Sequence, residues 1–199
     1  MNINKFISTI LHPIVIPTIG VVLYFLVIPN RLLSYQRLMV LSLVFVVTYL
    51  IPLLILIIFK KIKLIKSYHP ETIKERKIPL LLMLVLFILL GNTLNNIANL
   101  RELSFLFFAT SLALLIVYIL FYFKIKSSIH LLSLGVAAGF FLILSSIYTK
   151  SFLIIIIIFF LLSGILASSR LNLKAHKVNE IYIGFFIGIL SPFCIYFIL

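Results

Sequence analysis

Apolar residues in this chain occur in long unbroken runs, and its charged residues fall in the short stretches between them. Cutting the sequence at every Asp, Glu, Lys and Arg leaves seven uncharged windows of 19 to 25 residues: 6–30, 38–59, 78–100, 103–123, 127–149, 151–169 and 181–199. A helix needs about 20 predominantly apolar residues to cross the hydrocarbon core of a bilayer, where open strands would leave their backbone amides unpaired. Each window therefore predicts a spanning helix. Two are irregular: His12, Pro13 and Pro17 kink or shorten the first, and Asn92, Asn95, Asn96 and Asn99 make the far end of the third polar. The pattern predicts an all-α, polytopic membrane helix bundle of six or seven transmembrane helices, with residues 1–199 forming a single integral membrane domain. The first window has no small-x-small cleavage site and continues uninterrupted to Ile28, so it is expected to stay in the mature chain.

Composition agrees with the bilayer as solvent. Hydrophobic residues make up 64% of the chain and charged ones 11%, which leaves too little polar surface to clothe a water-soluble core. The balance of charge is lopsided, with 17 Lys plus Arg against four Glu and no Asp. Because the basic residues sit in loops between apolar runs, membrane orientation and anionic lipid headgroups explain them more simply than nucleic acid does. The single cysteine, Cys194, lies in the last window, so neither a disulfide framework nor a thiolate metal site is available. Gly135 with Gly139 and Gly184 with Gly188 form GxxxG pairs, read as helix-packing positions.

Counting seven crossings from the N-terminus brings the N-terminus, the 60–77 loop, the 124–129 turn and the 170–180 loop to one face. That face collects His69, His130, His176 and Glu180, while the loops opposite hold only Arg31, Arg37, Arg101, Glu102 and Lys150. The lysines at 60, 61, 63 and 66 are explained by the positive-inside rule alone, but the gathering of imidazoles is not.

The densest chemistry opens the last helix, where Ser169, Arg170, His176 and Glu180 read S-R-x(5)-H-x(3)-E. If the segment from His176 is helical, the spacing of four lets Glu180 bond one imidazole nitrogen and leave the other as a nucleophilic lone pair. Arg170 offers a planar fork for two phosphate oxygens. Ser128 and His130, at the start of the fifth window, add a hydroxyl for a phosphoryl oxygen and an acid for a leaving oxygen, although His130 taken alone also fits a residue that merely ends a helix at the interface. With no Asp and only four Glu, a two-metal hydrolase lacks ligands and a Ser-His-Asp triad lacks its acid; no cysteine nucleophile or nucleotide-cradling G-x(4)-G-K-[ST] stretch exists. No metal and no cofactor are expected, and Lys and Arg must do the cation's work.

These motifs resemble those of the type 2 phosphatidic acid phosphatase family, a membrane-embedded group with the signature K-x(6)-R-P, then P-S-G-H, then S-R-x(5)-H-x(3)-D. The resemblance covers most of the chain after about residue 60. It implies that His176 forms a phosphohistidine, Glu180 orients it, His130 protonates the leaving group, and Arg170 and Ser128 bind phosphate. The chain departs from the family in three places. Glu180 stands for Asp, and Ser127 and Ile129 stand where Pro and Gly are usual. Counting back from Arg76 finds His69 where the lysine belongs, with the proline displaced to Pro79, so Lys74, Arg76 and Lys77 are the candidates for the first phosphate-binding motif.

The expectation is a metal-independent lipid phosphate phosphatase in a cell membrane, expected to be a bacterial inner membrane. It would hydrolyse a phosphomonoester or diphosphate, with a lipid phosphate or polyprenyl diphosphate as substrate and membrane lipids as surroundings. The alternative is a non-enzymatic lipid-phosphate binder or small membrane transporter. The equipped face carries 13 of the 17 basic residues, which puts it in the cytoplasm by the positive-inside rule, whereas the resembled family usually works on the other face. His12 is read as either a packed polar residue or a lining group of the lipid entrance, with packing preferred, Tyr24, Tyr49 and Tyr148 as interfacial anchors, and the Asn cluster at 92–99 as bonds between helices.

Overall fold

The computed structural model describes residues 2–29, 32–65, 72–97 and 99–198. Among these the chain forms eight helices and no strand: α1 (Ile3–Ile10), α2 (Ile16–Val27), α3 (Ser34–Lys61), α4 (Ile73–Asn95), α5 (Arg101–Leu120), α6 (Ile129–Ile147), α7 (Leu153–Asn172) and α8 (Val178–Ile198). Six of them, α3 to α8, are long and apolar enough to cross a membrane. The protein is therefore a multi-pass membrane helix bundle. Its outward side chains are apolar: Phe197 is 82% exposed and Ile154 76%, which suits hydrocarbon and not water.

The first apolar window is not one helix. Pro13 and Pro17 lack the amide donors an uninterrupted helix would use, and the backbone turns over residues 11–15 before α2 begins. The 12 residues of α2 rise about 18 Å, well short of a hydrocarbon core of about 30 Å. Nevertheless, the segment joins the two ends of the bundle. Ser8 of α1 meets Arg170 at the end of α7, and Tyr24 of α2 meets Glu102 at the start of α5. The chain thus passes between the ends seven times, once as the broken pair α1–α2.

Proline also shapes α3. Pro52 cannot donate to the Thr48 carbonyl and its ring crowds that position, and the helix widens into a π turn over Val46–Leu50 just before it. The buried Thr48 hydroxyl pairs with that of Thr18 on α2 at 3.1 Å.

The centre of the bundle is α6, with 78% of its spanning window buried, against 56% for α5 and no more than 33% for any other span. The four GxxxG glycines explain its depth. A β-carbon on Gly135 or Gly139 would lie 2.5 Å from the Phe185 or Ile189 carbonyl of α8, and one on Gly184 or Gly188 would run into the Ser128 or Leu132 carbonyl. The two pairs face each other, and only hydrogen side chains allow α6 and α8 to touch backbone to backbone. The Ser128 amide donates to the Glu180 carbonyl at 2.9 Å, which fixes the start of α6 against the start of α8.

Two sequence expectations need correction at the opposite end. Asn92, Asn95, Asn96 and Asn99 are exposed and bond no neighbouring helix; they cap and leave α4 instead. Tyr24 is no interfacial anchor. It is 1% exposed and donates its phenol to Glu102 at 3.0 Å, while Tyr148 lies against the same carboxylate, which together with burial pushes its phenol up to about 12. Tyr24→Phe is expected to cost about 1–2 kcal/mol, read as a lower thermal midpoint in detergent, because Glu102 keeps only the Tyr148 phenol of its two tyrosine donors while the ring still packs.

Candidate functional site

The site lies where the start of α4, the start of α6, the end of α7 and the α7–α8 loop converge. Arg76, His130, Arg170 and His176 line one cavity there. The cavity has a volume of about 190 Å³ and continues between the helices past Leu80, Met83, Phe87, Leu106 and Val136. Its basic side chains lie together and most of the remaining lining is apolar, the division an amphiphile with an anionic head requires.

The α7–α8 loop is built to present His176. Helix α7 closes in a Schellman arrangement: Lys174 takes a left-handed backbone (φ 52°), its amide donates to the Leu171 carbonyl at 2.8 Å, and the Ala175 amide donates to the Arg170 carbonyl at 3.1 Å. The chain then reverses into α8, which begins at Val178. His176 therefore precedes the helix instead of sitting within it, a correction to the helical spacing expected from sequence. The contact forms all the same: His176 Nδ1 lies 2.7 Å from Glu180 Oε2, with the imidazole side chain 2% exposed and the carboxylate 19%. Glu180 sits in the first turn of α8, where the helix dipole favours its negative charge.

Burial holds His176 below the ordinary imidazole value, and nearby Arg76 and Arg170 push the same way; the bond to Glu180 opposes them but does not win. At neutral pH the ring is uncharged. Glu180 accepts from Nδ1–H, so Nε2 carries the lone pair.

Arg170 is held by α1, its Nη1 donating to Ser8 Oγ at 2.8 Å, while its Nε is buried without a partner among the described residues. Arg76 stands near enough to Arg170 and His176 to act on both electrostatically. His130 is buried in the first turn of α6; its ring bonds the Ser8 backbone, its Nε2 has no partner among the described residues, and Arg170, His12 and His176 are the charged or titratable groups that act on it. The hydroxyls of Ser127 and Ser128, three and two residues ahead of His130, are fully buried and unpartnered among the described residues, although neither lines the cavity.

Of the residues selected from sequence, the structure gathers His176, Glu180, His130, Arg170 and Arg76, with Ser128 buried beside them. Lys74 is exposed and does not line the cavity. Lys77 turns away to the Tyr122 ring, 5.0 Å from its centroid. His69 lies outside the described residues. Sequence reasoning missed one contributor from the N-terminal segment and ranked the role of another second. Ser8 anchors Arg170, and His12, for which packing was preferred over lining the lipid entrance, lines the cavity with its ring edge-on to His130 at a centroid distance of 5.1 Å. The signal available was a Ser and a His four residues apart in an otherwise apolar run, broken by proline directly after the histidine.

Among the described residues, no three His, Cys, Asp or Glu side chains converge to hold a metal ion. Compared with known proteins, the chain matches no family model, no curated protein and no solved structure.

Proposed function

We propose that this protein is a metal-independent lipid phosphate phosphatase that hydrolyses a phosphomonoester or diphosphate through a phosphohistidine at His176. The observation that carries this reading is the His176–Glu180 pair, 2.7 Å apart, on a cavity that it shares with two guanidinium groups and a second imidazole. In the proposed reaction His176 Nε2 attacks phosphorus and Glu180 stabilises the imidazolium that forms at Nδ1. Arg76 and Arg170 neutralise the equatorial oxygens, and His130 serves the leaving oxygen. Water then cleaves the P–N bond to give inorganic phosphate. The apolar continuation of the cavity houses the lipid chain, and the little protein that extends beyond the helices favours an amphiphile over a soluble ester.

The test is phosphate release by the purified protein over a panel of lipid monophosphates and diphosphates, with acid-labile, base-stable phosphate trapped on histidine during turnover. The pH dependence follows from the environment of His176. Only the neutral ring attacks, and the fold lowers its pKa, so kcat/KM is expected to hold through neutrality and fall with an acid limb centred below about 6.5. An acid limb above that value, or no trapped phosphohistidine in a protein that turns over, would contradict the mechanism.

A further inference from the structure

Resting on that reading, we infer that His12 is a substrate-binding residue that holds a second phosphate, which makes the preferred substrate a lipid diphosphate. His12 lies in the break between α1 and α2. Its Nδ1 accepts the Ile14 amide at 3.4 Å, and its carbonyl accepts the Val15 amide at 2.9 Å. With Nδ1 used as an acceptor, the neutral ring carries its proton on Nε2 and is a donor on that edge. The ring stands nearly perpendicular to that of His130, at 79°, and both line the cavity with Arg76, Arg170 and His176.

The chemistry of the leaving group gives this pair its meaning. A monoester leaves as an alkoxide, which needs a whole proton from His130. Yet the groups around His130 are Arg170, His12 and His176, all basic, and the nearby carboxylate, Glu180, is paired to His176. No carboxylate lies among them to pair with a proton on His130 before an anion arrives, and the His130 ring bonds the Ser8 backbone. A diphosphate leaves instead as a lipid monophosphate, whose own second pKa is about 6, and needs hydrogen bonds and no obligatory proton. The His176 Nε2 pair forms a bond to the terminal phosphorus, and the bond from that phosphorus to the bridging oxygen breaks. The bridging oxygen keeps the electrons and becomes the third terminal oxygen of the departing monophosphate. His12 donates to that departing phosphate, and Arg76 and Arg170 hold the terminal one. Water then takes the phosphoryl group from His176, releasing inorganic phosphate and a proton.

The experiment measures binding of a prenyl diphosphate and of the prenyl monophosphate of equal chain length to the full-length His176→Ala protein in detergent, where neither turns over. His12→Asn and His12→Gln are compared in the same background. Asn places an oxygen where Nδ1 lies and keeps the bond to the Ile14 amide but removes the Nε2 donor. Gln places a donor near Nε2 and gives up the turn bond. The protein with His12 is expected to bind the diphosphate about 10- to 100-fold tighter than the monophosphate, His12→Asn to bring the two within about threefold, and His12→Gln to keep most of the preference. Equal binding of the two ligands, no binding of either, a preference unchanged in His12→Asn, or one kept by Asn and lost by Gln would overturn the inference. Because no turnover is involved, a failure to release phosphate in the hydrolysis assay sinks the phosphatase reading separately.

Discussion

His176→Ala is expected to lower phosphate release by about four to six orders of magnitude, the loss that follows when the nucleophile of a covalent mechanism is removed. The fold should survive the change. His176 lies in a loop, before the first residue of α8, and among the described residues its side chain bonds only Glu180, which still reaches water. Glu180→Gln probes the same pair from the other side. The amide keeps the size of the side chain but cannot stabilise a positive imidazole, and it can offer its nitrogen to Nδ1 and so place the proton on Nε2. A loss of about 10²- to 10⁴-fold is expected in kcat, with a smaller change in KM, since the charge is needed in the transition state more than in the ground state. Equal rates of phosphate release for wild type and His176→Ala would refute the mechanism, whereas no release from any lipid phosphate by the wild type would leave lipid-phosphate binding as the function of the cavity.

The parts of this site that were legible in the sequence are those set by short spacing. Four residues separate His176 from Glu180, six separate Arg170 from His176, and the helix end between them closes within five residues, so no tertiary knowledge is needed to bring them together. The spanning helices were legible for a similar reason, because bilayer thickness fixes a length that charges punctuate. Contacts across long sequence separations were not. Ser8 meets Arg170 over 162 residues and Tyr24 meets Glu102 over 78, and an apolar window records nothing of which neighbour it will face. The prolines of the N-terminal window signal a kinked or shortened helix but not the route of the chain around them: they end one helix and start another, and the turn between them delivers His12 to the cavity. Within the 72–77 stretch, helical phase decides which cation faces inward. Arg76 does, while Lys74 and Lys77 point elsewhere, and a charge count has no phase.

Gly184→Val is expected to destabilise the protein by more than about 4 kcal/mol or to prevent its folding, a size reserved for changes that the backbone cannot absorb. The atoms a β-carbon would meet at Gly184 are the Ser128 carbonyl and amide, the latter at 3.1 Å, and no rotamer moves them aside. Relief requires the start of α6 to part from the start of α8, which breaks the bond from the Ser128 amide to the Glu180 carbonyl. His130, carried by α6, then moves away from His176 and Glu180. If any folded protein remains, its phosphate release should fall further than its thermal midpoint alone explains. Gly164 on α7 supplies the control, since a β-carbon there meets nothing within 4 Å. Gly164→Ala is expected to leave activity intact and to raise stability by about 0.5–1 kcal/mol through helix propensity. A Gly184→Val protein that melts and turns over like Gly164→Ala would mean that α6 and α8 are not in backbone contact, and the convergence of the two imidazoles would lose its structural basis.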